Sequence, residues 1–148
     1  MIYLVGSLKE SRVREVAEVL REAGHQVFDD WHASGPEADM HWQSYEEGRG
    51  RTYAEALNGS FLRNAYAFDL HHIDDASVVI AVCKPGKLPG QSSMAELTYA
   101  KWANKSRTMV LLDGEPERWE MMMPLAVNPN DIYSTIDQMV EALRRTLT

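Results

Sequence analysis

Glu96 is the acidic residue whose position in the chain best suits it to chemistry. It lies in the stretch PGQSSMAELTYAKWANK, which begins with turn residues and becomes apolar at helical spacing. The S-x-x-E spacing from Ser93 predicts a capping box, with Glu96 in the first turn of a helix. The helix dipole also favours an ionised carboxylate there, and in a cleft such a group could attack a sugar cation or stabilise it. Local sequence favours the cap, and the two roles are compatible.

Strands and helices alternate along the chain, and this alternation would position Glu96. Apolar runs predict strands at 2–6, 25–30, 77–83 and 107–113, with a short edge strand at 131–133. The pattern predicts an α/β fold, a doubly wound flavodoxin-like or Rossmann-like sandwich of about five parallel strands. Ligands bind such sheets beyond the carboxyl ends of the strands, which is where Glu96 is expected.

Helical spacing fills the intervals between the predicted strands. Ser7 and Glu10 have capping-box spacing and predict the start of the first helix. A helical pattern leads through residues 60–75, and an unbroken helix there is expected to place Asp69 below the rim of the crevice. A terminal helix is predicted at 134–147.

Residues 31–59 interrupt this alternation. They contain four glycines, one proline and interleaved aromatic and charged side chains, and their first two-thirds lack clear periodicity. Stretches this long without structure are uncommon in compact domains and often form lids or binding loops. We therefore predict one domain, residues 1–148, with an inserted lid-like segment at 31–59.

The composition limits the function classes. A length of 148 residues suits one domain, and a net charge of −7 argues against binding to nucleic acid or to an anionic membrane. Cys83 is the one cysteine, which excludes an internal disulfide and predicts a cytoplasmic location. The GxGxxG fingerprint and the P-loop are missing, and His71-His72 with the acids after them match no standard zinc motif. No cofactor or metal is therefore expected.

Three motifs occur in an order that resembles the nucleoside 2-deoxyribosyltransferase superfamily. They are IYLVGS, then AFDLHHIDDASVVIAV, then a glycine-rich loop leading into MAELTYAKWANKSRTMVLL. The resemblance covers about residues 1–28 and 64–113 and is closest to the 2'-deoxynucleoside 5'-phosphate N-hydrolases. It implies the same fold, cleavage of an N-glycosidic bond, and assembly as a homodimer or larger homo-oligomer.

Residue by residue, the resemblance implies three catalytic side chains. Glu96, in AEL, takes the place of the nucleophile that attacks C1' of the sugar. Tyr3, in IYL, matches the tyrosine whose hydroxyl orients that carboxylate. Asp69, in FDLHHI, matches an aspartate assigned to the base and to proton transfer. The alternatives are a core aromatic for Tyr3 and an exposed helix carboxylate for Asp69.

Ser7 and Gly90 bear on the subclass. The phosphate-dependent hydrolases show GS where transferases on free nucleosides usually show GP, and this chain has GS. The transferases also carry an aspartate six residues before the nucleophile, where this chain has Gly90. Because helix N-termini bind phosphate, we predict a phosphate cradle, with ordinary N-caps as the alternative. The predicted cradle comprises Gly6, Ser7, Leu8, Ser92 and Ser93.

Aromatic residues after the second strand are the candidates for contact with a base. Trp31 and His32 follow that strand directly and are expected at the crevice. Trp31 or Trp42 could stack on a nucleobase, and packing within the segment is the alternative. Trp119 with the run 121–123 is expected either in the core or at a subunit interface.

These observations predict an enzyme that hydrolyses the N-glycosidic bond of a (deoxy)nucleoside 5'-monophosphate. The expected partner is a small-molecule nucleotide or nucleoside. A deoxyribosyltransferase, a non-catalytic nucleotide-binding domain in which Glu96 is only a cap, and an NAD glycohydrolase are the alternatives.

Overall fold

Five parallel strands form the sheet at the centre of the fold. The computed structural model describes residues 1–146, so the predicted helical residue Leu147 lies outside the described residues. The strands are β1 (Ile2–Gly6), β2 (Val27–Phe28), β3 (Val78–Val82), β4 (Arg107–Leu111) and β5 (Ile132–Tyr133). Their order is β2-β1-β3-β4-β5, and each neighbouring pair is parallel. The predicted doubly wound α/β fold is confirmed, and its strand order reverses direction between β1 and β3.

Helices cover both faces of the sheet. They are α1 (Arg12–Glu22), α2 (Ala38–Gly48), α3 (Tyr53–Leu57), α4 (Ser60–Asp74), α5 (Gln91–Trp102) and α6 (Ile136–Thr146). Short 3-10 turns lie at Asp30–Ser34, Met123–Leu125 and Pro129–Asp131. Among residues 1–146, no helix is both long and apolar enough to cross a bilayer.

Alternate residues of each central strand face opposite layers. Leu4 and Ile80 pack with α1 and α6, whereas Tyr3 and Val79 pack with the apolar residues of α4 and α5. This is the period of two expected of a strand that is buried on both faces. It follows that Tyr3 points into the same layer as α4 and α5.

The predicted capping box at Ser7 and Glu10 is wrong, because α1 begins only at Arg12. Ser7 Oγ accepts a hydrogen bond from Lys9 N at 3.1 Å, and Glu10 Oε1 accepts one from Arg12 N at 2.9 Å. Residues 7–10 form a separate turn, closed by Glu10 N donating to Ser7 O at 2.9 Å. The loop after β1 is therefore longer than the spacing indicated.

Residues 31–59 are largely helical, which corrects the expectation of a segment without regular structure. The Asp30–Ser34 turn, α2 and α3 fill most of it. The apolar pattern is weak because α2 buries only Glu46 and α3 only Ala56. Without a core-facing stripe, a helix leaves little periodicity in its sequence.

Candidate active site

A cleft of about 2050 Å³ opens at the carboxyl ends of β1 and β3, where strand order reverses. The sheet and the start of α5 form one wall, and α2, α3 and the first half of α4 form the other. Ten of the eleven predicted site residues line it: Tyr3, Gly6, Ser7, Leu8, Trp31, Asp69, Gly90, Ser92, Ser93 and Glu96. The topology thus brings together residues from four separate parts of the chain.

Glu96 lies in the second turn of α5, which corrects the predicted capping box. The helix begins at Gln91 with Gly90 as its N-cap residue, and Ser93 is buried inside the helix. Gly90 has an extended backbone, so the helix begins three residues earlier than the S-x-x-E spacing indicated. The local alternative for Glu96, a helix cap, is therefore excluded.

The Glu96 carboxylate is held in an unfavourable setting for a charge. Its Oε2 atom is buried and has no hydrogen-bond partner among the described residues. The pKa of Glu96 is raised to about 7, chiefly by burial; the Tyr3 hydroxyl lowers it, and the negative charge of Asp69 raises it to a smaller extent. Near neutral pH this carboxyl group therefore exchanges between its ionised and protonated forms. Perturbed carboxyl groups of this kind in a cleft are typical of functional sites.

Tyr3 supplies the hydroxyl that faces Glu96. It is 1% exposed, and its ring stacks on Phe28 with centroids 5.5 Å apart. Burial raises the pKa of Tyr3, and the charges of Glu96 and Asp69 raise it further, so the hydroxyl stays protonated and can donate. The Tyr3 hydroxyl and the Glu96 carboxylate do not form a hydrogen bond of standard geometry, so their contact is looser than one.

Asp69 reaches the cleft from the middle of an unbroken α4. An unbroken helix was expected to keep Asp69 below the rim of the crevice, and Asp69 nevertheless lines the cleft. Phe61, Tyr66 and Phe68, which precede Asp69 on α4, are exposed, whereas Ile73 near the end of the helix is buried. Burial raises the pKa of the Asp69 carboxyl, and the neighbouring His72 lowers it.

The rim near Ser7 presents several donors without protein acceptors. Gly90 caps α5 with backbone alone, so no side chain occupies the first N–H groups of this helix. Lys9 and Lys84 add positive charge to the same cleft, and neither forms an ion pair within residues 1–146. Uncapped N–H groups beside cations suit an anion such as phosphate.

Gly6 allows the strand to approach its neighbours closely at this rim. A Cβ at Gly6 would lie 3.0 Å from Val13 Cγ2 and 3.1 Å from the carbonyl oxygen of Val82. Both distances are tighter than ordinary contact, so a larger residue would displace the loop that follows. The glycine therefore fixes where the Ser7 turn lies.

Trp31 and His32 hold their segment to the sheet. Trp31 Nε1 donates to the Leu4 carbonyl at 2.8 Å, while the ring packs against the core and lines the cleft. His32 Nε2 lies 3.0 Å from the Glu10 carbonyl, and His32 does not line the cleft. The expected place of His32 at the cleft is not observed, because β2 ends at Phe28 and the next turn folds back over β1.

Two features of the site have little signal in the sequence. Trp42 of α2 lines the cleft, and its Nε1 is buried without a partner among the described residues. His72 stacks on Phe28 with ring centroids 3.9 Å apart, beside the Tyr3–Phe28 stack. The parallel register of β1 and β2 pairs Tyr3 with Phe28 and so produces their stack. The stack of His72 on Phe28 also requires that α4 packs on β2.

Comparison with known proteins assigns the chain to no family. No protein-family model matches the chain, and no curated protein is significantly similar to it. The motif resemblance therefore remains a hypothesis beside the geometry of the cleft.

Proposed function

We propose that the protein hydrolyses the N-glycosidic bond of a (deoxy)nucleoside 5'-monophosphate to free base and sugar phosphate. The observation that carries the proposal is the setting of Glu96. It is a carboxylate with a buried, unpartnered oxygen, and it lies beside Tyr3 and Asp69 in a cleft at the strand reversal. A helix cap would not need this setting, whereas a nucleophile that meets a sugar cation would use it.

In the proposed reaction, the Glu96 carboxylate attacks C1' of the sugar as the bond from C1' to the base breaks. The base leaves with the bonding electron pair and takes a proton from Asp69. Water then attacks C1' of the glycosyl ester, which restores the Glu96 carboxylate and returns a proton to Asp69. Two carboxyl groups in these two roles are the usual arrangement for hydrolysis of a glycosidic bond.

The protonation states required are compatible with the setting of each group. Glu96 must be ionised to attack. Burial, the largest influence, opposes that form and the Tyr3 hydroxyl favours it, and a pKa of about 7 leaves a substantial part of the group ionised near neutral pH. Asp69 must hold a proton to donate it, and its burial favours the protonated form. Environments that assign different roles to two neighbouring carboxyl groups are a recurrent means of acid and base catalysis.

The turn after β1 and the start of α5 support a 5'-phosphate as part of the substrate. Ser7, Ser92, Lys9 and Lys84 line the cleft, and the first N–H groups of α5 have no side-chain cap from Gly90. A helix N-terminus, hydroxyl groups and lysines together suit a phosphate dianion.

A deoxyribosyltransferase is the nearest alternative, and one observation favours it. The cleft exceeds the ~300–1,000 Å³ of a typical small-molecule site, which leaves room for a second base. Gly90 instead favours water as the acceptor of the sugar. A Cβ at Gly90 would meet no atom within 4 Å, so an aspartate would fit there, and the chain has glycine without a steric reason.

The proposal includes a cytoplasmic homo-oligomer. Two groups of exposed apolar side chains support assembly: Phe61, Tyr66 and Phe68 on α4, and Trp119, Met121 and Met122 before β5. Met123 is buried, so the expectation of core packing for the methionine run applies to that residue alone. Exposed apolar clusters are common at subunit interfaces.

The test is release of free base from a panel of nucleoside monophosphates, followed by chromatography. We expect base and sugar phosphate from the wild-type protein, and kcat/KM at least about tenfold higher for monophosphates than for the matching nucleosides, as for one charge-assisted contact. Ser7→Ala should reduce that ratio, whereas Ser11→Ala, outside the cleft, should not.

Other products would contradict the proposal in distinct ways. Base exchange that requires an added acceptor base would indicate the transferase, and nicotinamide release from NAD would indicate a glycohydrolase of that cofactor. Tight binding of nucleotides without turnover would indicate a non-catalytic binding domain.

A further inference from the structure

Arg51 lies in the short loop between α2 and α3, and Glu46 holds it there. The Arg51 backbone N–H donates to the Glu46 carbonyl oxygen at 3.1 Å, and Arg51 Nη1 donates to Glu46 Oε2, also at 3.1 Å. Gly59 lies close to the same nitrogen, because a Cβ there would be 3.4 Å from Arg51 Nη1. These contacts fix the position of the guanidinium.

Glu46 is a charged residue in the buried position of its helix. It is the residue that α2 buries, and it is 5% exposed. A buried carboxylate is costly unless it is paired, and its partner is the Arg51 guanidinium. Arg51 itself keeps 32% of its side chain exposed and lines the cleft. The buried position of α2 therefore holds an arginine at the cleft instead of covering apolar surface.

This part of the cleft presents hydrogen-bond donors that have no protein acceptor. A guanidinium has several N–H donors and no acceptor, and within residues 1–146 the Arg51 side chain donates to Glu46 alone. Trp42, one turn before Glu46 on α2, adds a buried Nε1–H without a partner among the described residues. Buried donors are normally paired, so the wall is complementary to a ligand that supplies acceptors.

The charges around Arg51 favour a neutral acceptor over a second phosphate. Glu46 forms an ion pair with Arg51, and the charge of Arg51 also acts on Glu55, which lines the cleft as well. Two carboxylates beside one guanidinium disfavour an anion. The lysines that suit a phosphate, Lys9 and Lys84, belong to the loops after β1 and β3. The base of a nucleotide is thus the group that fits the wall of Arg51.

We propose that Arg51, positioned by Glu46, selects the base of the substrate and favours bases with a carbonyl oxygen on the edge remote from the sugar. Guanine, hypoxanthine, uracil and thymine are such oxo bases. Adenine and cytosine carry an amino group at that position, which would meet the guanidinium donor against donor. A site whose polar groups need partners discriminates strongly against a ligand that leaves them unpaired. This inference rests on the proposed function for the class of ligand, a nucleotide.

Binding to the Glu96→Gln protein measures this selection apart from the chemistry. Calorimetry compares the 5'-monophosphates of deoxyinosine and deoxyadenosine, and those of deoxyuridine and deoxycytidine. Each pair exchanges a carbonyl group for an amino group at one position of the base. We expect the oxo nucleotide to bind roughly 10–100-fold more tightly, as for a well-placed contact between arginine and a base edge. Equal affinity within both pairs, or no binding of any of these nucleotides, would overturn the proposal.

Variants of Arg51 show whether this residue makes the selection. Arg51→Met removes the donors and keeps the aliphatic stem, so the affinity ratio within each pair should fall towards one. Arg51→Gln, whose amide both donates and accepts, should lower the ratio too and replaces the methionine variant if that variant does not fold.

Arg49→Met is the matched control for the lost charge. Arg49 lines the same wall, but its guanidinium lies over the Tyr45 ring at 5.4 Å and is not held by Glu46. The ratio should persist in this variant even where the overall affinity changes. A ratio that persists in both Arg51 variants, or that falls equally in Arg49→Met, would contradict selection by Arg51.

The positioning role of Glu46 has a separate readout. Glu46→Gln keeps an acceptor for Arg51 and should preserve the affinity ratio, whereas Glu46→Ala removes the acceptor and should lower it. An ion pair that only closes the loop between α2 and α3 would give a lower Tm in Glu46→Ala with an unchanged ratio. That outcome would remove Glu46 from the proposal.

The selection and the proposed function fail in different ways. Base release at equal kcat/KM from the oxo and amino nucleotides would overturn the selection and leave the proposed function standing. Preferential binding of the oxo nucleotides without base release would support the role of Arg51 and count against the proposed function.

Discussion

The two walls of the cleft differ in how firmly they are built. The wall of β1, β3 and α5 holds Tyr3 in the core and Glu96 beside it at the cleft, and burial raises the pKa of both groups. The helices α2 and α3 of the opposite wall bury only Glu46 and Ala56. Two of its aromatic side chains are exposed, Tyr45 at 62% and Tyr53 at 74%.

The difference indicates a division of labour. Groups that perform chemistry must be held within a fraction of an ångström, and the packed wall does this. A wall with few buried contacts opens and closes at low cost in free energy and tolerates changes of sequence, which suits recognition of a base. Substitutions in the first wall should therefore alter turnover and its pH dependence, and substitutions in the second wall should alter the affinity for substrate.

Glu96→Gln tests the packed wall most severely. The amide cannot attack C1', so we expect base release to fall by at least about 10³-fold. Gln fills the same space, and the fold should persist in circular dichroism. Wild-type turnover in this variant would show that the packed wall does not carry the chemistry.

The same variant should be more stable than the wild type at alkaline pH. The pKa of Glu96 is about 7 in the folded protein against an ordinary value of 4.5, so the folded state holds the proton more tightly. The resulting stability is present below pH 4.5 and is lost as pH rises through about 7. At pH 8, Glu96→Gln should gain about 1–3 kcal/mol, because one pKa unit corresponds to ~1.4 kcal/mol. Equal Tm values for both proteins at pH 5 and pH 8 would contradict this account.

Tyr3→Phe should have the next largest effect. The hydroxyl lowers the pKa of Glu96, so its removal should move the acid limb of the kcat/KM profile to higher pH. If the hydroxyl closes to a full hydrogen bond with the carboxylate when substrate is bound, that bond contributes ~1.5–3 kcal/mol, and its loss corresponds to roughly 10–100-fold in rate. Tyr99→Phe is the matched control, because its hydroxyl donates to Asp74 at 2.7 Å, outside the cleft. An identical pH profile in the two variants would remove the role of Tyr3.

The pair Trp31→Ala and Trp42→Ala compares the walls directly. Trp31 is tied to Leu4 and the core, so its loss should lower the free energy of unfolding by about 2–3 kcal/mol. Trp42 lies on the loosely packed wall, and its loss should raise KM by roughly 10–100-fold, at ~1–3 kcal/mol for a stacked base. Thermal unfolding and substrate affinity, measured on both variants, separate the two. Unchanged affinity in Trp42→Ala with reduced stability would mean that the second wall is structural.

The packed wall was also the more predictable one. Buried parallel strands are continuous apolar runs, so the sheet, its five strands and the position of Glu96 near its rim followed from local pattern. The second wall was predicted as irregular and is helical, because helices that bury almost nothing leave no periodic signal. His32 was assigned to the cleft from its place after a strand, and the fold back over β1 turned it away.

The sequence by itself determined which elements form and which end of the sheet holds the polar residues, because strand and helix periods are local properties of the chain. It could not determine where α5 begins, because the S-x-x-E spacing is compatible both with a helix that starts at Ser93 and with one that already contains Ser93 and Glu96. Only the tertiary structure placed Asp69 and Glu96 beside Tyr3. The perturbed pKa of Glu96 depends on that placement, because burial and the charge of Asp69 act through space between residues that are far apart in the chain.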